Sequence, residues 1–166
     1  MRAGIALGSN LGDRLAALAR ARQQISDLAQ LEPPLLASSV YESEPVACEP
    51  DAPKFLNAVI EIGYRGTALH LLGELRRIEA AAGRPSVHAR NRSRTLDLDL
   101  LYFGDAKTAD AELELPHPRM QARRFVLEPL NEIRPALVLP TQTETSAALL
   151  AQLSETPPLV RMTSKW

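Results

Sequence analysis

Apolar and polar residues alternate in several short stretches of this chain and recur at helical spacing between them. Arg2 to Leu7 reads as a short strand, stopped by Gly8-Ser9-Asn10. Leu11, Leu15, Leu18, Ile25 and Leu28 then fall at helical spacing, with Ser9 or Asn10 placed to cap the helix. Pro33-Pro34 forces an extended link into a second strand over about Leu36 to Tyr41. Glu44 to Pro53, with prolines at 45, 50 and 53, is a loop. From Phe55 to Tyr64, Leu56, Ala58, Ile60 and Ile62 alternate with Asn57, Val59 and Glu61, the period of a third strand. Gly66-Thr67 opens a second amphipathic helix carrying Leu72, Leu75 and Ile78, with Gly83 as its stop. Arg84 to Arg94 has little core-forming character and reads as a long surface loop. A fourth strand follows through Leu100-Leu101-Tyr102-Phe103 and turns at Gly104-Asp105. Two helices, around Phe125 to Glu132 and from Thr145 to Ser154, complete the pattern.

The order strand, helix, strand, strand, helix, strand predicts an α+β fold: a ferredoxin-like βαββαβ core with extra C-terminal helices, layered as an α/β/α sandwich. No repeat or linker divides residues 1–166, so one domain is expected. A net charge of -1 excludes nucleic-acid binding by bulk charge. Cys48 is the single cysteine, which rules out an intrachain disulfide and favours a reducing compartment. No apolar run approaches the roughly 20 residues of a membrane span, and the first residues lack a signal-peptide succession. A cytoplasmic protein is expected, without nucleic-acid or membrane partners and either monomeric or weakly dimeric.

The chemistry concentrates in Arg94-Thr95-Leu96-Asp97-Leu98-Asp99-Leu100. On a strand, Asp97 and Asp99 share one face while Leu96, Leu98 and Leu100 take the other. Adjacent carboxylates raise each other's pKa unless a cation sits between them, and Mg2+ prefers such oxygen sites, often shared with substrate phosphates. Taken alone, Asp-X-Asp fits a solvated edge strand equally well. Arg84, Arg90, Arg92 and Arg94 lead directly into it, and arginine forks suit phosphate oxygens. That loop also reads as a solvated basic segment answering the acidic stretch Glu42 to Asp51.

Neither a P-loop nor a Rossmann glycine pattern is present. His70, His88 and His117 lack zinc-site spacing, and no base is argued beside Cys48. His117, held between Pro116 and Pro118, has a constrained backbone. Phe55 and Phe125 border loops and could sandwich a flat heterocycle, although core packing is the plainer reading of each. Asn57 shares a strand face with Phe55 and carries both a donor and an acceptor.

These motifs resemble the 6-hydroxymethyl-7,8-dihydropterin pyrophosphokinase family over nearly the whole chain. The resemblance runs through Gly8-Ser9-Asn10-Leu11-Gly12-Asp13-Arg14, Tyr41 to Val46, Phe55-Leu56-Asn57-Ala58, Arg77-Ile78-Glu79, Gly83-Arg84 and Arg94 to Asp99. It continues in Leu115 to Met120, Arg123, Phe125-Val126-Leu127 and Pro129-Leu130. It implies transfer of the terminal diphosphate of ATP to a pterin hydroxymethyl oxygen, releasing AMP, in folate biosynthesis. Asp97 and Asp99 would hold two Mg2+ ions, and Arg84 and Arg94 would stabilise migrating charge. Glu79, Arg90, Arg94, His117 and Arg123 would contact ATP. Ser43, Glu44, Pro45, Val46, Phe55, Asn57 and Phe125 would bind the pterin.

The departures gather in the loop. Members resembling this chain commonly read Arg-Trp-Gly-Pro-Arg-Thr where it has Arg90-Asn91-Arg92-Ser93-Arg94-Thr95. Ser86 and Val87 stand where basic residues are frequent, and Ala47 where glycine is usual. These changes bear on turnover more than on fold. They leave two alternatives to the pyrophosphokinase: a paralogue with another pterin-like acceptor or little catalysis, and a Mg2+-dependent nucleotidyl transferase.

Overall fold

The computed structural model describes residues 1–46, 48–83 and 93–166. Five strands are hydrogen-bonded side by side in the order β5-β1-β4-β3-β8: β1 is Arg2–Ser9, β3 Val40–Ser43, β4 Phe55–Tyr64, β5 Asp97–Phe103 and β8 Val160–Thr163. β2, Leu31–Ala37, pairs with the other half of β4, and every pairing is antiparallel. Helices α1 (Arg14–Ser26) and α2 (Ala68–Ala81) cross between strands on one face. Helices α3 (Arg124–Ile133) and α4 (Ser146–Ala151) cover the other, and a two-stranded ribbon, β6 (Thr108–Ala109) with β7 (Glu114–Leu115), lies beside β5. This is the expected ferredoxin-like α/β/α sandwich with C-terminal additions.

Strand parity explains the layers. Ile5, Leu7, Ala58, Ile60, Ile62, Leu96, Leu98 and Leu100 form one core with Leu18, Ile25, Leu71, Leu75 and Ile78 of α1 and α2. Val59, Leu101 and Tyr102 join Val126, Leu127 and Leu130 of α3 in a second. β4 is therefore buried on both faces, with Leu56, Ala58, Ile60 and Ile62 in the first core and Val59 in the second beside the buried polar Asn57 and Glu61. In β5 the pairing skips a residue between Leu100 and Tyr102, a β-bulge that turns both Leu101 and Tyr102 towards α3. Tyr102 then lies over Gly4, where a Cβ would stand 2.2 Å from its ring.

Beneath α3 sits a fully buried carboxylate. Glu61 accepts from Arg2 Nε at 2.9 Å, from Arg134 Nη1 at 2.7 and 2.8 Å, and from the Tyr102 hydroxyl. Burial alone would raise its pKa, but these donors and the arginine charges outweigh it and hold Glu61 below the ordinary carboxylate value. The Arg134 bonds fasten the C-terminal end of α3 to the sheet.

Several local expectations are corrected. β1 continues through Gly8 to Ser9 instead of stopping at Gly8. Asp13, not Ser9 or Asn10, caps α1, its Oδ1 accepting from Ala16 N at 3.1 Å. Leu11 and Leu15 are exposed, and the buried stripe is Ala17, Leu18, Ala21 and Ile25. The strand expected over Leu36 to Tyr41 divides at Ser38-Ser39. The Ser38 hydroxyl takes the Val59 N–H, and the Ser39 N–H and hydroxyl go to Glu132 of α3. Pro33-Pro34 lies inside β2, at a shift in its register, because proline cannot donate to the ladder. Thr145 caps α4, which is shorter than expected. Among the described residues, no helix is long and apolar enough to cross a membrane.

Candidate active site

Three adjacent strands meet in register at one row. Gly8 of β1 lies opposite Asn57 of β4 on one side and Asp97 of β5 on the other. One step along, Ala6 lies between Val59 and Asp99. A strand's alternate residues share a face, so Ala6, Gly8, Asn57, Asp97 and Asp99 all point towards the α3 side. The small residues of β1 leave a trough between the longer side chains of β4 and β5. A Cβ at Gly8 would meet Asn57 Oδ1 at 3.7 Å, Asp97 Cβ at 3.8 Å and Phe55 Cδ1 at 3.9 Å.

That trough is the floor of a cleft of about 180 Å³. Phe55, Asn57, Ser43, Glu44, Val46 and Cys48 line one end, and Asp97, Asp99, Arg94, Arg119 and Arg123 the other. Phe125 reaches it from the first turn of α3, with the Arg123 guanidinium 5.5 Å from its ring centre. Asn57 Nδ2 donates to Ser43 Oγ at 2.8 Å, which fixes the orientation of the amide.

The carboxylate end is rich in cations. Arg94 Nη1 lies 3.0 Å from Asp97 Oδ1, and Arg123 Nη1 lies 3.8 Å from Asp99 Oδ2. The Arg94 Nε is buried without a hydrogen-bond acceptor among the described residues. Burial and then the charge of Asp97 raise the pKa of Asp99, while His117, Arg123 and Arg94 only partly counter them. Burial and the neighbouring carboxylate thus oppose the charge of Asp99 despite the arginines, a penalty that a divalent cation held between the two carboxylates would relieve. Among the described residues no group of three His, Cys, Asp or Glu gathers, and Asp97 and Asp99 are the two carboxylates at this end of the cleft. Mg2+ fits such a site, since it keeps waters and takes substrate phosphates as its remaining ligands.

His117 stands outside the cleft lining but close enough to Asp99 for each to shift the other. Burial lowers its pKa, with Arg123 and Arg119 reinforcing the fall and Asp99 opposing it. Its Nδ1 accepts the Arg119 N–H at 3.2 Å. The neutral ring therefore carries its proton on Nε2, as a donor. Glu79 is buried in α2, with Oε1 accepting from Leu98 N at 2.8 Å, so it braces the strand that bears the carboxylates. Pro45 lies between two lining residues without lining the cleft itself. Arg84 and Arg90, with Ala47, Ser86 and Val87, lie outside the described residues.

Sequence reasoning missed Ala6, Leu7, Gly8, Cys48, Ala58, Arg119 and Val126 as lining residues. For Gly8 a signal existed: a glycine two residues beyond Ala6 on a strand leaves one face open. It is hidden because Gly8-Ser9-Asn10 also has the composition of a turn.

The family model for 7,8-dihydro-6-hydroxymethylpterin-pyrophosphokinase matches residues 4–135. The 2-amino-4-hydroxy-6-hydroxymethyldihydropteridine pyrophosphokinase of Haemophilus influenzae is 42% identical over 136 residues, covering 82% of this chain and 83% of that one. The protein of the same name from Bacillus subtilis is 42% identical over 131 residues, covering 78% and 75%. Among solved structures, wild-type Plasmodium falciparum HPPK-DHPS with SDX-DHP superposes with a TM-score of 0.70 at 13% identity, over 90% of this chain. This chain spans 44% of the length of that one, and at such identity the likeness is one of fold.

Proposed function

The chain belongs to the 7,8-dihydro-6-hydroxymethylpterin-pyrophosphokinase family and is an ATP-dependent pyrophosphokinase of folate biosynthesis, and from that premise we propose that the cleft over Gly8 is where its two substrates meet. The observation that supports this reading is the row Asn57–Gly8–Asp97, in which the Asn57 amide and the Asp97 carboxylate flank one glycine on the same floor. The pterin ring lies over Ala6 and Gly8, between Phe55 and Phe125, with its amide-like edge on Asn57 and the Ser43-to-Val46 segment. Stacking against each aromatic adds about 0.5–1.5 kcal/mol beyond burial. Asn57 Oδ1 accepts from the ring edge because Ser43 already orients the amide.

The terminal diphosphate of ATP passes to the pterin's hydroxymethyl oxygen, and AMP leaves. Asp97 and Asp99 would be the residues that hold two Mg2+ ions. When bound, Mg2+ neutralises developing charge, orients the phosphates and makes the hydroxyl a better nucleophile. With Asp97 engaged by the metal, Arg94 would be free to hold a phosphate oxygen, and its buried Nε, without an acceptor among the described residues, could take one as well. Arg123 and the Nε2–H of His117 hold further phosphate oxygens. A single well-placed arginine can be worth about 10³–10⁵ in rate in such transfers. Arg84 and Arg90 share this work, and Glu79 supports it from beneath Leu98.

Incubation with MgATP and 6-hydroxymethyl-7,8-dihydropterin should yield AMP and a pterin diphosphate, seen together by phosphorus NMR. Tight pterin binding with no AMP would refute the proposal. Free pyrophosphate as the phosphorus product would mark a nucleotidyl transferase instead.

A further inference from the structure

Three segments converge above the carboxylate strand, and Asn10 touches all of them. This residue directly follows β1 and is 2% exposed. Its N–H donates to the Arg94 carbonyl at 3.1 Å, and its Oδ1 accepts from the Arg94 N–H at 2.7 Å. Both backbone groups of Arg94 are thereby occupied. Asn10 Nδ2 donates to Ser93 Oγ at 2.9 Å and to the Pro53 carbonyl at 3.2 Å. The Ser93 N–H in turn donates to Glu49 Oε1 at 3.0 Å. The loop carrying Cys48, which lines the ring end of the cleft, is thus tied to the Arg94 peptide at two points, Glu49 and Pro53.

We propose that Asn10, Ser93 and Glu49 are positioning residues that clamp the Arg94 backbone and the 48–53 loop together, so that the Arg94 guanidinium is delivered to the transferred phosphate in register with the loop beside the acceptor. This rests on Arg94 acting at that phosphate. Two features separate the clamp from ordinary satisfaction of a buried amide. Its hydrogen bonds fall on both peptide groups of the residue whose side chain reaches Asp97 at 3.0 Å. And Ser93 is engaged twice, its N–H donating to Glu49 Oε1 and its Oγ accepting from Asn10 Nδ2. Ser93 therefore joins Glu49 and Asn10 in one cross-link immediately before Arg94.

The test is single-turnover AMP formation at saturating MgATP and 6-hydroxymethyl-7,8-dihydropterin, with thermal melting beside it. Asn10→Ala should slow the step by about tenfold or more, as small displacements of a positioned group do. Because Asn10 acts through Arg94, the double variant Asn10→Ala/Arg94→Ala should be no slower than Arg94→Ala alone. A purely structural asparagine would give losses that multiply and a melting temperature that falls with them, and that result overturns the clamp. Glu49→Ala should also slow the step, and Glu49→Gln, which keeps a carbonyl acceptor for Ser93, should retain more of the rate. Equal loss in the two Glu49 variants counts against the proposal. Should Asn10→Ala not fold, the same non-additivity is read from Glu49→Ala with Arg94→Ala. If Arg94→Ala is slow while Asn10→Ala matches the unchanged protein, the clamp alone is wrong. If Arg94→Ala itself is unimpaired, the role of Arg94 falls and the clamp falls with it.

Discussion

Gly8→Ala separates the floor of the cleft from the stability of the sheet. The added Cβ would stand 3.7 Å from Asn57 Oδ1, 3.8 Å from Asp97 Cβ and 3.9 Å from Phe55 Cδ1, all ordinary contacts. The protein therefore accommodates the methyl without moving. An alanine also loses less backbone freedom on folding than a glycine, a gain of about 0.4–1 kcal/mol. For a chain of this size that corresponds to a melting temperature raised by about 1–4 °C. The ligand meets the opposite situation. A methyl group on the trough floor lifts a flat ring off Ala6 and away from Asn57, an overpacking that costs about 1–3 kcal/mol. At 0.59 kcal/mol per natural-log unit this weakens pterin binding about 5- to 150-fold. Calorimetric titration of the pterin and a thermal melt decide the matter together. An unchanged dissociation constant would remove the ring from the Gly8 floor. Weaker binding with a lowered melting temperature would mean that the methyl had disturbed the sheet instead.

Asp97→Ala should reduce turnover about a thousandfold or more, since several kcal/mol of metal-supplied stabilisation at 1.36 kcal/mol per tenfold are lost. Near-normal AMP production in Mg2+ would refute the assignment. Glu61→Gln should cost about 3 kcal/mol, the low end for a broken buried ion pair, because Arg2 and Arg134 keep 31% and 36% of their side-chain surface exposed. A melting temperature within 2 °C of the unchanged protein, against an expected fall of about 6–12 °C, would show the network to be ornamental. Glu61 and Glu132 are both held below the usual carboxylate range by their hydrogen bonds and arginines, against burial that would raise them. Their contribution is present above the unfolded value of about 4.3 and disappears as pH falls through the lower folded values. Acid titration of stability should therefore be shallower in Glu61→Gln, and an identical slope would count against this source.

What could be read before folding was whatever depends on local period. The alternation in Phe55 to Tyr64, the Thr67 cap with its bond to His70 N, and the Asp97-Asp99 face all follow from neighbours a few residues apart. What could not be read depends on partners far along the chain. The break at Ser38-Ser39 exists because Glu132, 93 residues from Ser39, takes the Ser39 N–H and hydroxyl. β8 is short and exposed and has no periodic signal. It is held by pairing with β3 and by Arg161 on Ser39 and Glu132. Asn10 looks like a helix cap from its neighbours alone, yet its hydrogen bonds go to Pro53, Ser93 and Arg94. Within the site, the carboxylates and aromatics were legible as residue types. The open row between them was not, because an absent side chain leaves no mark in a list of reactive groups.

With the ring edge on Asn57 and the phosphate at Asp97, as proposed, the row Asn57–Gly8–Asp97 would also act as a ruler. Two strand spacings separate its ends, about 10 Å fixed by backbone hydrogen bonds that no loop movement can stretch. A ring seated by its edge on Asn57 can offer its hydroxyl to the metal-held phosphate only if the arm that carries it spans the remainder. Selectivity among acceptors is then a matter of arm length as well as of ring identity. An analogue with one extra carbon would be bound by the same edge and would overshoot the phosphorus, becoming an inhibitor where the natural arm makes a substrate.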